Sequence, residues 1–343
     1  MTPCTPRRKE TAAPLALTMG EPAGIGGELT LKAWLRRDQT PTFFVIDDPD
    51  RLRRLARTLG LPVEIAVIDT PQQTSATFEA ALPVLARRLA VASVPGAPNL
   101  ENAPAVRASI EDAVASAMSG QAAAVVTNPV HKETLYRSGF PFPGHTEFLA
   151  DLGGMATPPV MMLVATGLRT VPVTVHVSLA DAIKTLSTER IVAAATIAHA
   201  ALRTDFGFAK PRLAVAGLNP HAGEGGTLGN EETEVIVPAI AALRANGIEA
   251  FGPRPADALF SARARKDYDA AICMYHDQAL IPVKTLDFDG AVNVTLGLPF
   301  VRTSPDHGTA LDIAGTGNAH VSSLLAALGV AADMARRRSR AGA

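Results

Sequence analysis

The sequence has 343 residues, of which 47% are hydrophobic and 19% are charged, and its formal net charge is −1. A chain of this length and near-neutral charge can bury a substantial core, and it has no general attraction to polyanions such as nucleic acids. No segment approaches the roughly 20 uninterrupted apolar residues of a membrane-spanning helix, so we expect neither a nucleic-acid nor a membrane partner. Because Cys4 and Cys273 are the only cysteines, we expect no disulfide framework and a reducing, cytoplasmic compartment.

Short β-like runs alternate with longer helical patterns along the chain. In chain order, hydrophobic periodicity predicts strands at 15–19, 42–46, 122–127, 160–165, 170–177, 213–217, 270–274 and 291–296. It predicts helices at 28–36, 49–59, 105–119, 188–205, 231–246 and 322–337. This alternation is typical of a mostly parallel α/β sheet. A domain boundary is poorly marked, and we place it near 140–144, where Pro141 and Pro143 interrupt the pattern.

Three histidines, His176, His221 and His276, each follow a strand-like run. A single histidine in such a place is more often structural, but the carboxyl ends of parallel strands gather reacting groups, so three imidazoles there favour a metal site. The gaps of 45 and 55 residues between them are too long for a structural zinc module. Three protein ligands would leave positions open for a substrate, as catalysis by a metal requires. We interpret His199, inside a predicted helix, as structural.

Three glycine-containing loops are candidate ligand sites. The first, GEPAGIG at 20–26, lies between a predicted strand and a predicted helix. It lacks both the GxGxxG spacing and a Walker lysine, so it is either a plain tight turn or a turn whose backbone amides contact a ligand. The second, NPHAGEGG at 219–226, contains His221, and the third is SPDHGTALDIAG at 304–315.

Six segments, in order, resemble the 4-hydroxythreonine-4-phosphate dehydrogenase family over about residues 15–330. They are GEPAGIG (20–26), TNPVHK (127–132), PGHTEF (143–148), NPHAGEGG (219–226), MYHDQ (274–278) and LGLPFVR (296–302). The segment 306–315 also resembles the adenosine-binding loop of isocitrate and isopropylmalate dehydrogenases, with Leu311 where those relatives commonly have proline. Ala279 stands where many relatives have glycine.

The resemblance implies an isocitrate/isopropylmalate dehydrogenase-like α/β fold with two α/β/α domains, a mostly parallel sheet and an active-site cleft between the domains. We expect a cofactor-side domain at 14–140 plus 297–337 and a metal, substrate and dimerisation domain at 141–296. Residues 1–13 and 338–343 are expected to be tails. The family further implies a homodimer whose active site lies at the subunit interface.

The family's functional residues carry over onto identical positions of this sequence. The metal ligands, for one divalent ion (Zn, Mg or Co), are His176, His221 and His276. The substrate contacts are His145, Thr146, Lys284, Asn293 and Arg302. The expected contacts to NAD or NADP are Gly24, Gly26, His307, Gly308, Thr309, Ala310 and Asp312. Asp277 either orients a ligand or caps the helix that follows.

The resemblance implies NAD(P)-dependent, metal-dependent oxidation of 4-phosphooxy-L-threonine to 2-amino-3-oxo-4-(phosphooxy)butanoate. This product decarboxylates to 3-amino-2-oxopropyl phosphate in pyridoxine 5′-phosphate (vitamin B6) biosynthesis. Asp257 is our candidate acid/base, with Lys284 as its competitor. Three alternatives remain: a relative that acts on threonate or erythronate phosphates or an aromatic cis-dihydrodiol, a metal-dependent hydrolase, and a phosphate-metabolite binding protein without turnover.

Overall fold

The computed structural model describes residues 13–142 and 144–341. The predicted N-terminal tail therefore lies outside the described residues apart from Ala13, and so does Pro143 of the predicted boundary. Within the described part, twelve strands form one sheet in the order β3-β4-β2-β1-β5-β12-β11-β6-β7-β10-β8-β9. The strands are β1 (Leu15–Thr18), β2 (Phe43–Asp47), β3 (Ile65–Ile68), β4 (Leu82–Ala86), β5 (Ala124–Val126), β6 (Val160–Ala165), β7 (Leu168–Pro172), β8 (Arg212–Ala216), β9 (Glu249–Arg254), β10 (Ala270–Cys273), β11 (Val292–Leu296) and β12 (Arg302–Pro305).

Helices cover the sheet and join its strands. They are α1 (Gly26–Leu35), α2 (Pro49–Thr58), α3 (Thr74–Thr77), α4 (Ala103–Met118), α5 (Lys132–Arg137), α6 (His145–Leu152), α7 (Leu179–Thr185), α8 (Thr188–Thr204), α9 (Val237–Ala245), α10 (Ala256–Leu259), α11 (His276–Leu286) and α12 (Ser322–Ala341). In the described chain, no helix combines the length and the apolar character needed to cross a bilayer.

The sheet is mostly parallel, and its antiparallel pairs adjoin β11 and β6. β11 runs antiparallel to β12 and to β6, and β6 runs antiparallel to β7. The strands from 14–140 and 297–337 form one block of the order, and those from 141–296 form the other, meeting at the β12–β11 pair. We call these blocks the first half and the second half of the sheet. The division into two domains itself stays a prediction.

The central strands of the first half are buried along their whole length. Every residue of β1 and β2 is buried, as expected for parallel strands covered by helices on both faces. Phe43 and Phe44 are fully buried on opposite faces of β2, and Phe43 packs edge-to-face on Phe78 with 5.2 Å between ring centroids. Burial of each such side chain contributes about 1.5–3 kcal/mol, so this region anchors the fold.

The predicted α/β class is confirmed, and the eight predicted strands all occur. The strand predicted at 170–177 was too long: β7 ends at Pro172, the last residue that pairs with β10. Sequence periodicity missed β3, β4, β9 and β12. Three of these strands, β4, β9 and β12, contain proline, and β9 and β12 have few apolar residues.

Two predicted helices differ from the structure at their ends. The helix predicted at 231–246 begins with a π-helical turn at Glu232–Ile236 before α9. α12 continues past the predicted end at Arg337 into the expected C-terminal tail. There Arg338 forms a two-point ion pair with the buried Asp205, at 2.8 Å and 2.6 Å, which holds the end of α12 against the chain after α8.

Candidate active site

Three neighbouring parallel strands carry the three histidines beyond their carboxyl ends. β7, β10 and β8 lie side by side and parallel, and they are followed by His176, His276 and His221 respectively. The rings of His176 and His276 approach to 5.9 Å between centroids. Both rings line an open depression of about 250 Å³. The sheet therefore brings two of the predicted imidazoles to one place at its carboxyl edge.

The third imidazole does not complete a metal site within one chain. Among residues 13–142 and 144–341, no three His, Cys, Asp or Glu side chains approach closely enough to hold a metal ion. The donors that are present nevertheless suit a divalent metal. Burial, the Lys132 ammonium and His276 lower the pKa of His176, which favours the neutral ring that metals bind. The assignment of all three histidines as ligands stays a prediction.

His276 has a carboxylate beside it. Its Nδ1 lies 2.7 Å from Oδ1 of Asp277, while the start of α11 has no side-chain cap. Of the two alternatives for Asp277, the geometry thus favours orientation of His276 over helix capping. A carboxylate on one ring nitrogen fixes the ring and leaves Nε2 for a ligand, the arrangement typical of metal-binding histidines.

The loop that carries His221 has an unusual backbone. His221, Ala222 and Glu224 have φ angles of +53°, +54° and +43°, in the left-handed region that costs residues with a Cβ about 1–2 kcal/mol each. Glu232, buried in the π-helical turn, accepts the backbone N–H groups of Leu218 and Asn219, both at 2.7 Å. The Glu232 carboxylate therefore anchors the strained loop. Such strain and π-helical turns are frequent at functional sites.

A buried guanidinium lies where the two halves of the sheet meet. Arg302, the first residue of β12, donates to Oγ1 of Thr295 at 2.9 Å and to Oγ1 of Thr127 at 2.6 Å. Burial lowers the pKa of Arg302 to about 10, so it remains a cation at neutral pH. Within the described chain, no carboxylate lies within ion-pair distance of it, and its Nε has no hydrogen-bond partner. A buried, unpaired cation is costly unless an anion binds there.

His145 and Thr146 begin α6 close to this guanidinium. Burial, then Arg302 and Lys132, lower the pKa of His145 to about 3, so the ring is neutral at physiological pH. Its Nε2 is buried without a partner. Gly144 precedes α6 and has no capping side chain, so the first N–H groups of the helix remain suited to an anion. Lys132, which sequence analysis did not single out, acts electrostatically on both His145 and His176.

The other predicted substrate contacts lie on α11 and β11. Lys284 Nζ is 3.1 Å from Oδ2 of Asp306, so the two side chains form an ion pair. The geometry of the contact is not that of a hydrogen bond, and this oxygen has no hydrogen-bond donor within the described residues. This pair joins α11 to the third glycine-containing loop. Asn293 is two residues before Thr295 on β11, so both side chains point to the same face of the sheet. Asn293 therefore lies on the face that Arg302 contacts through Thr295.

Asp257, the candidate acid/base, is separate from Lys284. It is exposed in the short helix α10, which packs beside the loop at Pro220–Gly226. The structure thus places Asp257 near the His221 side of the edge and Lys284 near the third glycine-containing loop. The catalytic role of either residue stays a prediction.

The first and third glycine-containing loops contact each other, although they are far apart in sequence. The backbone N–H of Ile25 donates to the carbonyl oxygen of Thr309 at 3.1 Å. A Cβ on Gly24 would lie 2.9 Å from that oxygen, and one on Gly26 would lie 3.2 Å from Asn128, so both positions require glycine for close backbone approach. Ala310 has a φ of +43°. The first loop is therefore a tight turn that packs on the third loop, and contact of its backbone amides with a ligand stays a prediction.

Side chains of the third loop leave groups available to a ligand. Nδ1 of His307 lies 3.0 Å from the Gly308 carbonyl oxygen, and its Nε2 is buried without a partner. Gly308 and Asp312 are exposed. Assignment of these residues to a nicotinamide dinucleotide stays a prediction, and an unpartnered donor or acceptor beside exposed backbone is compatible with it.

Sequence analysis missed two further parts of this region. The segment around Gly96 packs on both loops: its N–H donates to the Ala23 carbonyl at 2.8 Å, and Pro95 lies against Gly315. Glu21, inside the first loop, is buried, and burial raises the pKa of its carboxyl. Only the fold reveals the contacts of the Gly96 segment and the burial of Glu21, because neither stands out in the sequence by residue type or spacing.

The chain is similar to known proteins along most of its length. Residues 39–331 match the model of the family described as pyridoxal phosphate biosynthetic protein PdxA. A 4-hydroxythreonine-4-phosphate dehydrogenase from Bradyrhizobium diazoefficiens is 53% identical over 341 residues, covering 96% of this chain and 99% of the relative.

Two solved structures extend the comparison. A 4-hydroxythreonine-4-phosphate dehydrogenase from Klebsiella pneumoniae superposes with a TM-score of 0.85 at 38% identity, covering 94% of this chain and 99% of that one. A terephthalate 1,2-cis-dihydrodiol dehydrogenase from Burkholderia xenovorans gives a TM-score of 0.64 at 30% identity, covering 94% and 98%. The chain belongs to the PdxA family of pyridoxal phosphate biosynthetic proteins.

Proposed function

We propose that this chain is a 4-hydroxythreonine-4-phosphate dehydrogenase. It oxidises the C3 hydroxyl of 4-phosphooxy-L-threonine, and the resulting β-keto acid loses carbon dioxide to give 3-amino-2-oxopropyl phosphate, a step of pyridoxine 5′-phosphate synthesis. The observation that carries the proposal is the buried Arg302 guanidinium, which has neutral hydroxyl partners and lies near the unpartnered His145 nitrogen. This is a site for a dianionic phosphate in a chain whose relatives carry that name.

Residues from both halves of the sheet orient the substrate. Arg302 supplies charge-assisted hydrogen bonds to the phosphate, and the neutral His145 ring and the amino end of α6 supply further donors. Lys284 and Asn293 bind the carboxylate end. Because Lys132 adds positive charge between the anion pocket and His176, it attracts the dianion without being buried. These contacts fix the C3 carbon relative to the histidine edge, by which we mean the carboxyl edge of the sheet that carries His176, His221 and His276.

A divalent metal would be held by His176 and His276, with His221 as the third ligand. When bound, it lowers the pKa of a substrate hydroxyl and stabilises negative charge on the oxygen. Asp277 fixes the orientation of the His276 ring, and Glu232 holds the His221 loop in its strained form. The ion is proposed only as a divalent metal of the class that includes zinc, magnesium and cobalt.

A nicotinamide cofactor, NAD or NADP, would supply the hydride acceptor for this oxidation. Its contacts are assigned to Gly24 and Gly26 of the first loop and to residues 307–310 and Asp312 of the third loop. The close approach of Gly24 to Thr309 presents both loop backbones on one surface. Such a surface suits a pyrophosphate or ribose, which hydrogen-bonds to backbone N–H groups.

Proton movements are assigned to two side chains. Asp257 is an exposed carboxylate beside the His221 loop, and its position suits removal of the hydroxyl proton. Lys284 is an ammonium paired with Asp306, which suits it to donate hydrogen bonds to the substrate and a proton to the product of decarboxylation. Separation of the two groups allows one to act as base and the other as acid.

We also propose a homodimer that covers the histidine edge. Two exposed apolar side chains, Val177 and Leu179, line the depression beside His176 and His276. Three more lie on or next to α7 and α11: Ile183, Ile281 and Phe288. Leu179, Ile281 and Phe288 are 59%, 62% and 73% exposed, and such a patch marks an interaction surface. A second copy there would also supply groups to an edge whose three-ligand set is incomplete in one chain. Light scattering on wild type and Phe288→Ser measures the mass, and a wild-type monomer would contradict the dimer.

A dehydrogenase for an aromatic cis-dihydrodiol is the second candidate, because the Burkholderia xenovorans enzyme of that name shares the fold at 30% identity. The substrate in that name has no phosphate, but terephthalate carries two carboxylates, which can also pair with the Arg302 cation. Turnover of the candidate substrates therefore distinguishes the two functions. The hydrolase alternative has no support in the family, whose named relatives are dehydrogenases.

The test is a turnover assay with purified protein, a divalent metal and NAD⁺ or NADP⁺. Candidate substrates are 4-phosphooxy-L-threonine, threonate 4-phosphate, erythronate 4-phosphate and a cis-dihydrodiol, and the readout is absorbance of the reduced cofactor. We expect the highest kcat/KM with 4-phosphooxy-L-threonine, and release of carbon dioxide with it. Absence of reduction with every substrate would contradict the dehydrogenase assignment, and preference for another substrate would reassign it within the family.

A further inference from the structure

The two hydroxyl partners of Arg302 come from the strands on either side of it. Thr295 is the cross-strand partner of Arg302 in the antiparallel β12–β11 pair. Thr127 follows β5, which pairs with β12 in parallel, and its backbone N–H donates to the Thr303 carbonyl at 3.0 Å. Arg302, on the last strand of the first half of the sheet, is thus held between β5 of the same half and β11, the first strand of the second half.

All three side chains are buried: Thr127 is 1% exposed, Thr295 is 4% exposed and Arg302 is 6% exposed. Each hydroxyl accepts a hydrogen bond from a different terminal nitrogen, Nη1 to Thr295 and Nη2 to Thr127. The guanidinium plane is therefore fixed from two sides. One N–H remains unused on Nε, and each terminal nitrogen carries a second N–H.

Half-buried Arg169, like Arg302, has a neutral hydrogen-bond acceptor, which is a backbone carbonyl. Two other buried or half-buried arginines of this chain, Arg51 and Arg338, are paired with carboxylates, those of Asp47 at 2.6 Å and Asp205 at 2.6 Å. A carboxylate would hold Arg302 in the same orientation but would cancel its charge. Hydroxyl partners satisfy the geometry and leave the full positive charge for a ligand.

We propose that Thr127 and Thr295 are positioning residues, which aim the Arg302 guanidinium and keep its charge uncompensated for the substrate phosphate. This rests on the proposed function, in which Arg302 binds that phosphate. The two threonines do not touch the reacting carbon. Their substitution therefore changes binding of the phosphate and leaves the chemical step intact.

The experiment compares isosteric, conservative and charge-compensating variants of the full chain. Thr127→Val and Thr295→Val remove one hydroxyl acceptor each, whereas Thr127→Ser and Thr295→Ser keep it. Thr295→Asp places a carboxylate beside the guanidinium and neutralises it. For each variant, KM and kcat are measured with the phosphorylated substrate, and the affinity for inorganic phosphate is measured by calorimetry without turnover.

We expect each valine variant to raise KM and the phosphate dissociation constant about 10-fold, as for loss of one hydrogen bond to a charged group, with kcat within twofold of wild type. The serine variants restore both values. Thr295→Asp abolishes phosphate binding while its melting temperature stays at or above that of Thr295→Val, which a purely structural role does not predict.

Unchanged KM and phosphate affinity in folded valine variants would overturn the proposal, and so would a fall in kcat at constant KM. If the valine variants do not fold, Thr295→Ser and Thr295→Asp provide the test. Equal phosphate affinity of those two variants would also overturn the proposal. Wild-type turnover separates this result from the proposed function. If wild-type protein binds phosphate but reduces no cofactor, the proposed reaction is contradicted, whereas the positioning of Arg302 by Thr127 and Thr295 is not.

Discussion

The glycine-containing loops and the histidine edge build their parts of the site in different ways. The loops at 20–26 and 304–315 meet through their backbones, since the Ile25 N–H donates to the Thr309 carbonyl oxygen, and this contact forms within one chain. The histidine edge depends on side chains, two of them on left-handed backbone, and one chain brings only His176 and His276 together. The difference is that one chain fixes the contact between the loops proposed to bind the cofactor, whereas it brings together only two of the three histidines proposed to bind a metal.

Substitution of His221 tests the histidine edge and carries the largest expected effect. In His221→Ala, we expect loss of most bound metal and a fall in kcat/KM of about 1,000-fold, since metal polarisation contributes several kcal/mol to such reactions. The melting temperature should be unchanged, because His221 is exposed and alanine keeps the same backbone strain. Metal analysis and steady-state kinetics measure this, with His199→Ala as the control. Full metal content in His221→Ala would exclude it as a ligand.

Arg302 lies between the two regions, and its removal sharpens the comparison next. For Arg302→Ala we expect kcat/KM on the phosphorylated substrate to fall about 100-fold, from loss of a buried charge-assisted contact of about 2–3 kcal/mol. The same variant should lose much less on an unphosphorylated analogue. Arg336→Ala, at an arginine that is 60% exposed, is the matched control. Equal losses on both substrates would refute a phosphate-specific role.

A methyl group at Gly24 tests whether the glycine loops act through backbone contact. The added Cβ of Gly24→Ala would lie 2.9 Å from the Thr309 carbonyl oxygen, so we expect a loss of about 2 kcal/mol in the free energy of unfolding. The KM for the nicotinamide cofactor should also rise. Gly329→Ala is the control, because its Cβ meets no atom within 4 Å in α12, and alanine favours a helix. Identical denaturation midpoints for the two variants would contradict a tight contact between the loops.

The pH dependence of stability tests the environment of His145 and is the smallest effect. The pKa of His145 is about 3 in the folded chain and near 6.5 when unfolded. The unfolded state therefore binds a proton first, and stability is present above pH 6.5 and is lost as the pH falls towards 3. We expect a loss of about 1–2 kcal/mol between pH 7 and pH 5, discounted for partial exposure.

Urea unfolding at several pH values measures this loss, and His145→Gln, which does not titrate, is the comparison. The variant should show a correspondingly weaker pH dependence over the same range. Parallel pH profiles for wild type and His145→Gln would show that the ring is not buried in its neutral form.

Sequence analysis predicted the fold class and the three strands β7, β8 and β10 near whose carboxyl ends the histidines lie. It extended the first of these strands too far, across His176. It did not predict the partners of Arg302, because Thr127 and Thr295 are ordinary strand-end and strand residues. The contact of Glu232 with the backbone N–H groups of Leu218 and Asn219 was not predicted either, because it joins two segments that are separate in sequence. The pair of Lys284 with Asp306 was equally hidden, since it joins two segments that local patterns treat separately.

By itself, the sequence determined the alternation of strands and helices and the residue types at strand ends, because hydrophobic periodicity and turn chemistry act over a few residues. Only the tertiary structure decided which of those ends meet. The strand order sets the pair His176–His276 and the contact of Gly24 with Thr309. Burial around Arg302 and His145 lowers the pKa of both side chains, because desolvation depends on every element packed around a group and on no local motif.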